Sequence, residues 1–132
     1  MGDNEKRKIA IIDDDKGLVE IVKEFLESRG FAVVSAYGGK DGVDLVRKER
    51  PSLVILDISM ADMDGRDVLN ALKGDDDTKD IPVIILTGKE EQFSRDTIIG
   101  MGAYDYITKP YDSYYLLRQI GNILDKQERG EL

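Results

Sequence analysis

The chain has 132 residues with 27 acidic side chains, 19 basic side chains and a net charge of −8, and it contains no histidine, cysteine or tryptophan. Without cysteine and histidine, the chain cannot form disulfides, thiolate or imidazole metal sites, or a Ser-His-Asp triad. An acidic chain without basic clusters is not expected to bind nucleic acid, and any metal must be held by oxygen atoms, which suits Mg²⁺, Mn²⁺ or Ca²⁺.

Five short apolar runs alternate with five segments of helical spacing. In chain order, the first predicted elements are a strand at Lys8–Asp13, a helix around Leu18–Leu26 that ends near Gly30, a strand at Ala32–Ala36 and a helix around Val43–Val46 that ends before Pro51. They are followed by a strand at Leu53–Asp57, a helix around Val68–Leu72 that ends at Gly74 and a strand at Pro82–Thr87. The last three are a weaker helix at Glu90–Met101, a strand at Tyr104–Thr108 and a longer helix around Leu116–Leu124. This alternation predicts an α/β fold with a flavodoxin-like, doubly wound, five-stranded parallel sheet in the order 2-1-3-4-5 and five helices.

The length fits one domain, because most domains contain roughly 100–150 residues. We expect a single domain over residues 1–132 with an ordered core at about 7–125 and no output domain. The charged start at Met1–Lys6 carries no signal-peptide core, and no apolar run approaches the roughly 20 residues of a membrane span. The sequence therefore predicts a cytoplasmic protein that does not bind membranes.

Polar side chains stand where the predicted strands end. In open α/β sheets, ligands bind beyond the carboxyl ends of the strands, so these side chains are expected to meet. They are Asp13, Asp14 and Asp15 after strand 1, Asp57 at the end of strand 3, Thr87 at the end of strand 4 and Lys109 after strand 5. A helix N-cap explains Asp15, but one cap needs only one carboxylate. An unpaired charge such as Asp57 at the end of an apolar strand is costly, which favours a functional role.

The chemistry of these groups points to phosphoryl transfer. Three crowded carboxylates need a counter-charge, and their oxygens favour Mg²⁺, with Mn²⁺ as a substitute. A cation on one side of Asp57 and the Lys109 ammonium on the other would hold a transferred phosphoryl group. Asp57 is the candidate nucleophile and would form an aspartyl phosphate, with the Thr87 hydroxyl contacting a phosphoryl oxygen.

Four segments carry a family resemblance: IIDDD at strand 1, PSLVILDISMADMDG at strand 3, VIILTG at strand 4 and GAYDYITKPYD at strand 5. With these motifs in order, the chain resembles the receiver domain of two-component response regulators, of the chemotaxis-regulator type, over essentially its whole length. The resemblance implies a signalling domain rather than an enzyme, one that assists its own phosphorylation and slow autodephosphorylation.

The resemblance also assigns the site. Asp57 is implied to receive phosphate from a partner histidine kinase or histidine phosphotransfer protein. The implied metal ligands are Asp14 directly, Asp13 mainly through water, Asp57 and the backbone carbonyl of Ser59. Thr87 and Lys109 are implied to engage the phosphoryl group, and the Lys109-Pro110 bond is expected to be cis.

Signal output is implied to pass through Tyr106, whose ring turns inward when Thr87 is drawn to the phosphate. The face of helix 4, strand 5 and helix 5 would then change its affinity for a downstream effector or a fused output domain. The resemblance also allows a homodimer in which Asp105, Arg95 and Arg118 pair across this face.

Some positions depart from the family pattern. Ala61 stands where proline is usual and Gly88 where alanine is commoner, so both loops are expected to be looser. Ser59 and Lys89 occupy positions that tune the loss of the phosphoryl group.

Two alternatives remain open. A degenerate receiver used as a phosphorylation-independent docking module usually lacks part of the site, all of which is present here. A Mg²⁺-dependent phosphohydrolase usually has an acid two residues after its nucleophile, where this chain has Ser59.

Overall fold

The computed structural model describes residues 7–88 and 94–132. Its strands are β1 (Lys8–Ile12), β2 (Ala32–Ala36), β3 (Leu53–Asp57), β4 (Val83–Thr87) and β5 (Asp105–Thr108). Its helices are α1 (Lys16–Ser28), α2 (Gly39–Glu49), α3 (Gly65–Lys73), α4 (Arg95–Gly100) and α5 (Ser113–Glu128). In these ranges, no helix is long and apolar enough to cross a bilayer.

The five strands form one parallel sheet in the order β2-β1-β3-β4-β5. This confirms the predicted flavodoxin-like topology. Because β1 lies between β2 and β3, the chain reverses its direction of winding between β1 and β3, where such folds bind ligands. The residues that follow β1 and those that end β3 are therefore brought together by topology alone.

The element boundaries differ from the sequence prediction by small amounts. β1 ends at Ile12 rather than Asp13, and β4 begins at Val83 rather than Pro82, which has no N–H for the ladder. α5 continues to Glu128, beyond the expected end of the ordered core, and Glu128 forms an ion pair with Arg7. For the fourth predicted helix, residues 90–93 lie outside the described residues.

The sheet separates two apolar layers. Alternate residues of β3 point to opposite faces, so that Ile55 packs with α1 and α5 while Leu56 packs with α2, α3 and α4. All five residues of β3 and of β4 are buried. Each buried Ile or Leu side chain contributes about 1.5–3 kcal/mol, so the central strands form a rigid support for the residues at their carboxyl ends.

Four of the helices begin with a side-chain cap of their own. As predicted, Asp15 caps α1, where its Oδ1 accepts the Leu18 N–H at 3.1 Å. The other three caps are Asp64, Ser94 and Asp112. α2 starts after Gly38, which has no side chain to offer, and its first N–H groups are instead capped by Asp62 from the β3–α3 loop.

We expect Gly65→Ala to destabilise the fold. A Cβ at Gly65 would lie 2.5 Å from the Ile58 Cα and 2.6 Å from the Asp57 carbonyl oxygen, and these backbone atoms cannot rotate away. The expected loss is about 1–3 kcal/mol of unfolding free energy in urea denaturation.

Gly121→Ala in α5 is the matched control. No described atom lies within 4 Å of a Cβ there, so this substitution should stabilise the protein by about 0.5–1 kcal/mol. A Gly65→Ala protein as stable as the wild type would contradict the close packing of the loop after Asp57.

Candidate functional site

Three carboxylates meet beyond the ends of β1 and β3. Asp13 and Asp57 are buried, with 1% and 4% of their surfaces exposed, while Asp14 is exposed. One oxygen of each lies within 4.8 Å of the others. The structure therefore brings together the three acidic residues that the sequence placed at this edge, and it leaves Asp15 in its separate capping role.

Lys109 bridges two of these carboxylates. Its Nζ lies 3.1 Å from Asp13 Oδ2 and 3.4 Å from Asp57 Oδ1. Its backbone N–H donates to the Thr87 carbonyl at 2.6 Å, which fixes the end of β5 against the end of β4. The peptide bond that follows, to Pro110, is cis, as the family resemblance implied.

Each of the three carboxylates also accepts a backbone N–H. The bonds run from Asp15 to Asp13 Oδ1 at 3.0 Å, from Ser59 to Asp57 Oδ1 at 3.3 Å and from Ala61 to Asp14 Oδ2 at 2.9 Å. Hydrogen bonds of this kind stabilise the ionised form and restrict the orientation of the carboxylate.

The electrostatics of the cluster favour an added positive charge. Burial, followed by the charge of Asp13, raises the pKa of Asp57 to about 6, although Lys109 opposes the shift. Burial alone would lower the pKa of Lys109, but the charges of Asp13 and Asp57 outweigh it and raise that pKa. In residues 7–88 and 94–132, three carboxylates against one ammonium leave an excess of negative charge, which a hard divalent cation would offset. The donor set therefore fits Mg²⁺ or Mn²⁺.

Thr87 ends β4, the strand next to β3, and Tyr106 lies on β5 beyond it. Thr87 is fully buried, and its hydroxyl donates to the Gly88 carbonyl at 3.3 Å. Asp57 is paired in register with Leu86, so Thr87 stands one residue beyond the level of Asp57. Tyr106 is partly buried and packs against the apolar layer that contains α3 and α4.

A buried carboxylate, Asp105, connects α4, β5 and α5. Its Oδ1 lies 3.1 Å from the Arg95 guanidinium, and its Oδ2 accepts from Gln119 Nε2 at 2.7 Å. Arg95 also donates to the Tyr106 carbonyl at 3.3 Å. Both oxygens of Asp105 thus have partners within the chain. The homodimer through Asp105, Arg95 and Arg118 stays a prediction.

Two features of the structure were not predicted from the sequence: the burial of the Tyr111 hydroxyl and the cap of α2. The Tyr111 hydroxyl is buried and has no hydrogen-bond partner among the described residues, and its pKa rises to about 12 through burial and the charges of Asp13 and Asp57. The cap that Asp62 provides for α2 was also missed, although the glycines that precede the helix predicted around Val43–Val46 have no side chain to cap it. Of the departures from the family pattern, Ala61 is hydrogen bonded to Asp14, and Lys89 lies outside the described residues.

Comparison with known proteins identifies the family and agrees with the fold. The family model of the response regulator receiver domain matches residues 9–121. The chain therefore belongs to the response regulator receiver domain family, whose members are signalling domains of two-component systems.

Solved structures give the same result. A CheY-like response regulator receiver domain protein from Methanospirillum hungatei is 30% identical with a TM-score of 0.87, over 96% of this chain and 99% of that one. A response regulator receiver domain protein from Clostridium thermocellum is 28% identical with a TM-score of 0.85, over 92% and 97%. A putative response regulator from Chloroflexus aurantiacus is 26% identical with a TM-score of 0.85, over 92% and 99%.

We expect Asp57→Asn to stabilise the metal-free protein. Because the folded state raises the pKa of Asp57 from 3.8 to about 6, it binds this proton more tightly than the unfolded state does, and stability falls as the pH rises through that window. A shift of this size corresponds to at most about 3 kcal/mol, which solvent beside the exposed Asp14 screens to about 1–2 kcal/mol.

The measurement is urea denaturation in EDTA at several pH values. The gain of Asp57→Asn should be complete above about pH 6 and absent below about pH 4. Asp76→Asn, at an exposed carboxylate with 94% of its side chain accessible, should change stability little at any pH. A variant less stable than the wild type at pH 8 would contradict the electrostatic analysis.

Proposed function

We propose that the chain is a phosphoacceptor signalling domain in which Asp57 takes a phosphoryl group, with Mg²⁺, from a partner histidine kinase or histidine phosphotransfer protein. The observation that carries the proposal is the buried Asp57 carboxylate, grouped with Asp13 and Asp14 and held 3.4 Å from the Lys109 ammonium. These 132 residues contain no histidine, so they cannot supply the phosphohistidine themselves.

In the transfer step, an Asp57 carboxylate oxygen attacks the phosphorus of the phosphoimidazole. The new P–O bond forms as the P–N bond breaks, and the ring nitrogen keeps the electron pair and takes up a proton. With a pKa of about 6, Asp57 is largely ionised at neutral pH and can serve as the nucleophile.

The remaining groups stabilise charge on the transferred phosphoryl group. Asp13, Asp14, Asp57 and the Ser59 carbonyl would hold the Mg²⁺, which supplies positive charge to the phosphoryl oxygens, and Mn²⁺ is expected to substitute. The Lys109 ammonium, now shared by Asp13 and Asp57, contacts a phosphoryl oxygen from the other side. Slow autodephosphorylation follows, since water retains access through the exposed edge at Asp14.

An apolar groove of about 530 Å³ supports docking of the phosphodonor beside this site. Leu18 and Ile21 of α1 line one wall, Pro110 and Tyr111 line the other, and Lys109 stands at the edge nearest Asp57. Ile21 is 64% exposed although it is apolar. A protein that carries its histidine next to an apolar helix face would bury these side chains while presenting the imidazole to Asp57.

Phosphorylation is proposed to switch the face at the β5 edge of the sheet, formed by α4, β5 and α5. The Thr87 hydroxyl would exchange the Gly88 carbonyl for a phosphoryl oxygen, and Tyr106 would repack toward the space that Thr87 leaves. The α4-β5-α5 face, tied together by Asp105, then changes its affinity for a downstream effector or a fused output domain in the cytoplasm.

The test is intact-mass spectrometry after incubation with acetyl phosphate and Mg²⁺. Wild type should gain the mass of one phosphoryl group, which hydroxylamine removes as expected for an acyl phosphate, and EDTA should prevent the gain. Asp57→Asn should gain nothing, whereas the exposed-site control Asp76→Asn should behave as wild type.

The opposite result would remove the phosphoacceptor role. Wild type without a mass gain would contradict the proposal and favour the phosphorylation-independent docking module. A full gain in Asp57→Asn would contradict it by assigning the phosphoryl group to another residue.

A further inference from the structure

The hydroxyl of Tyr111 is a buried hydrogen-bond donor without a partner among the described residues. A buried hydroxyl that makes no hydrogen bond is costly, so its presence calls for an explanation. We propose that Tyr111 is a positioning residue for the phosphorylated state, in which its hydroxyl donates to Asp13 once the Lys109 ammonium turns to the phosphoryl group on Asp57. This inference rests on the proposed function, because the phosphoryl group is what draws Lys109 away from Asp13.

Tyr111 and Asp13 line the same small cavity. The other side chains on its wall are apolar and belong to β1, β3, β4 and α1. The cavity has no room for a water molecule, so water cannot satisfy the hydroxyl there. Among the described residues on this wall, Asp13 therefore has the one side chain that can accept a hydrogen bond from Tyr111.

Asp13 needs a new donor when Lys109 leaves it. Only 1% of its surface is exposed, and each of its oxygens has one donor: the Asp15 N–H at 3.0 Å from Oδ1 and the Lys109 Nζ at 3.1 Å from Oδ2. The same Nζ lies 3.4 Å from Asp57 Oδ1, so the negative charge of a phosphoryl group on Asp57 competes for it. Asp13 Oδ2 would then be a buried, charged oxygen that has lost its donor, which is strongly unfavourable.

The Tyr111 hydroxyl is suited to replace that donor. Burial and the charges of Asp13 and Asp57 raise the pKa of Tyr111 to about 12, so the phenol keeps its proton at neutral pH. The same negative charges favour an O–H that points toward Asp13, and a hydrogen bond from a hydroxyl to a carboxylate is stronger than one between neutral groups. In the structure described here Lys109 already occupies Asp13 Oδ2, which explains why the hydroxyl is unpaired.

The first test is Tyr111→Phe, which removes the hydroxyl and keeps the ring in the cavity. We expect two effects of opposite sign. The midpoint of urea denaturation in EDTA should rise, because an unpaired buried hydroxyl is gone. The affinity for beryllofluoride with Mg²⁺, measured by amide NMR titration, should fall about tenfold, the size of one hydrogen bond to a charged group.

Tyr115→Phe is the matched control, because it removes the hydroxyl of an exposed tyrosine in the first turn of α5. It should change neither the urea midpoint nor the beryllofluoride affinity. An unchanged affinity in Tyr111→Phe would mean that the metal alone satisfies Asp13, and it would overturn the inference. A lower urea midpoint in Tyr111→Phe would also overturn it, because the hydroxyl would then stabilise the free protein.

A second test needs neither a metal nor a phosphoryl group. Lys109→Met removes the ammonium from Asp13 and keeps most of the side-chain volume, so Asp13 Oδ2 loses its donor in the free protein. The Tyr111 hydroxyl should then bind Asp13. Adding Tyr111→Phe should therefore lower the urea midpoint in the Lys109→Met protein, although it raises the midpoint when Lys109 is present. A shift of the same sign in both proteins would overturn the inference.

The outcomes separate this inference from the proposed function. Wild type that does not respond to beryllofluoride and Mg²⁺ removes the phosphoacceptor role, and with it the event that displaces Lys109. Wild type that responds, together with a Tyr111→Phe protein of equal affinity, overturns the inference alone.

Discussion

Among the residues that the structure describes, Lys109 supplies the one ammonium that offsets the carboxylates at the carboxyl edge of the sheet, and the rest of the site is arranged around this imbalance. Asp13 and Asp57 are buried next to each other, and burial with their mutual repulsion raises the pKa of Asp57 to about 6. Lys109 offsets part of this charge from 3.1 and 3.4 Å. The apolar layers on both faces of the sheet supply the free energy that holds such groups together. A divalent cation would balance this charge, and together with Lys109 it would stabilise the negative charge of a phosphoryl group on Asp57, which is the physical basis of the proposed function.

The same imbalance connects the acceptor to distant elements. Lys109 directly follows β5 and donates its backbone N–H to the Thr87 carbonyl at the end of β4, so a new partner for the Lys109 ammonium acts on both strands. At the start of β5, Asp105 joins α4 to α5 through its contacts with Arg95 and Gln119. On the other side, Asp14 reaches α2 through the β3–α3 loop. Through these contacts, a change of charge at the carboxylate cluster can affect two separate surfaces, the α4-β5-α5 face and the start of α2.

Much of this arrangement could be predicted from the sequence. Continuous apolar strands that alternate with amphipathic helices have few stable topologies, and the winding reversal between β1 and β3 places Asp13, Asp14 and Asp57 together. The Asp15 cap followed from local chemistry. The Ala61 and Asp62 contacts could not be predicted, because they join backbone N–H groups to side chains across loops whose path depends on tertiary packing. The buried Tyr111 hydroxyl was missed for a similar reason, since Tyr111 lines a small cavity together with residues of β1, β3, β4 and α1.

In the proposed switch, Asp57, Mg²⁺, Thr87 and Tyr106 respond together when a phosphoryl group binds to Asp57. The most direct measurement is an amide NMR titration with beryllofluoride, which mimics a phosphoryl group on a carboxylate, with and without Mg²⁺, on wild type and Asp57→Asn. We expect shifts of the amide signals at Asp57, Thr87, Tyr106 and α4, and these shifts should require both Mg²⁺ and the Asp57 carboxylate. The proposed switch would be contradicted by a wild-type protein whose amide signals do not respond to beryllofluoride at millimolar Mg²⁺, or by an Asp57→Asn variant that responds like wild type.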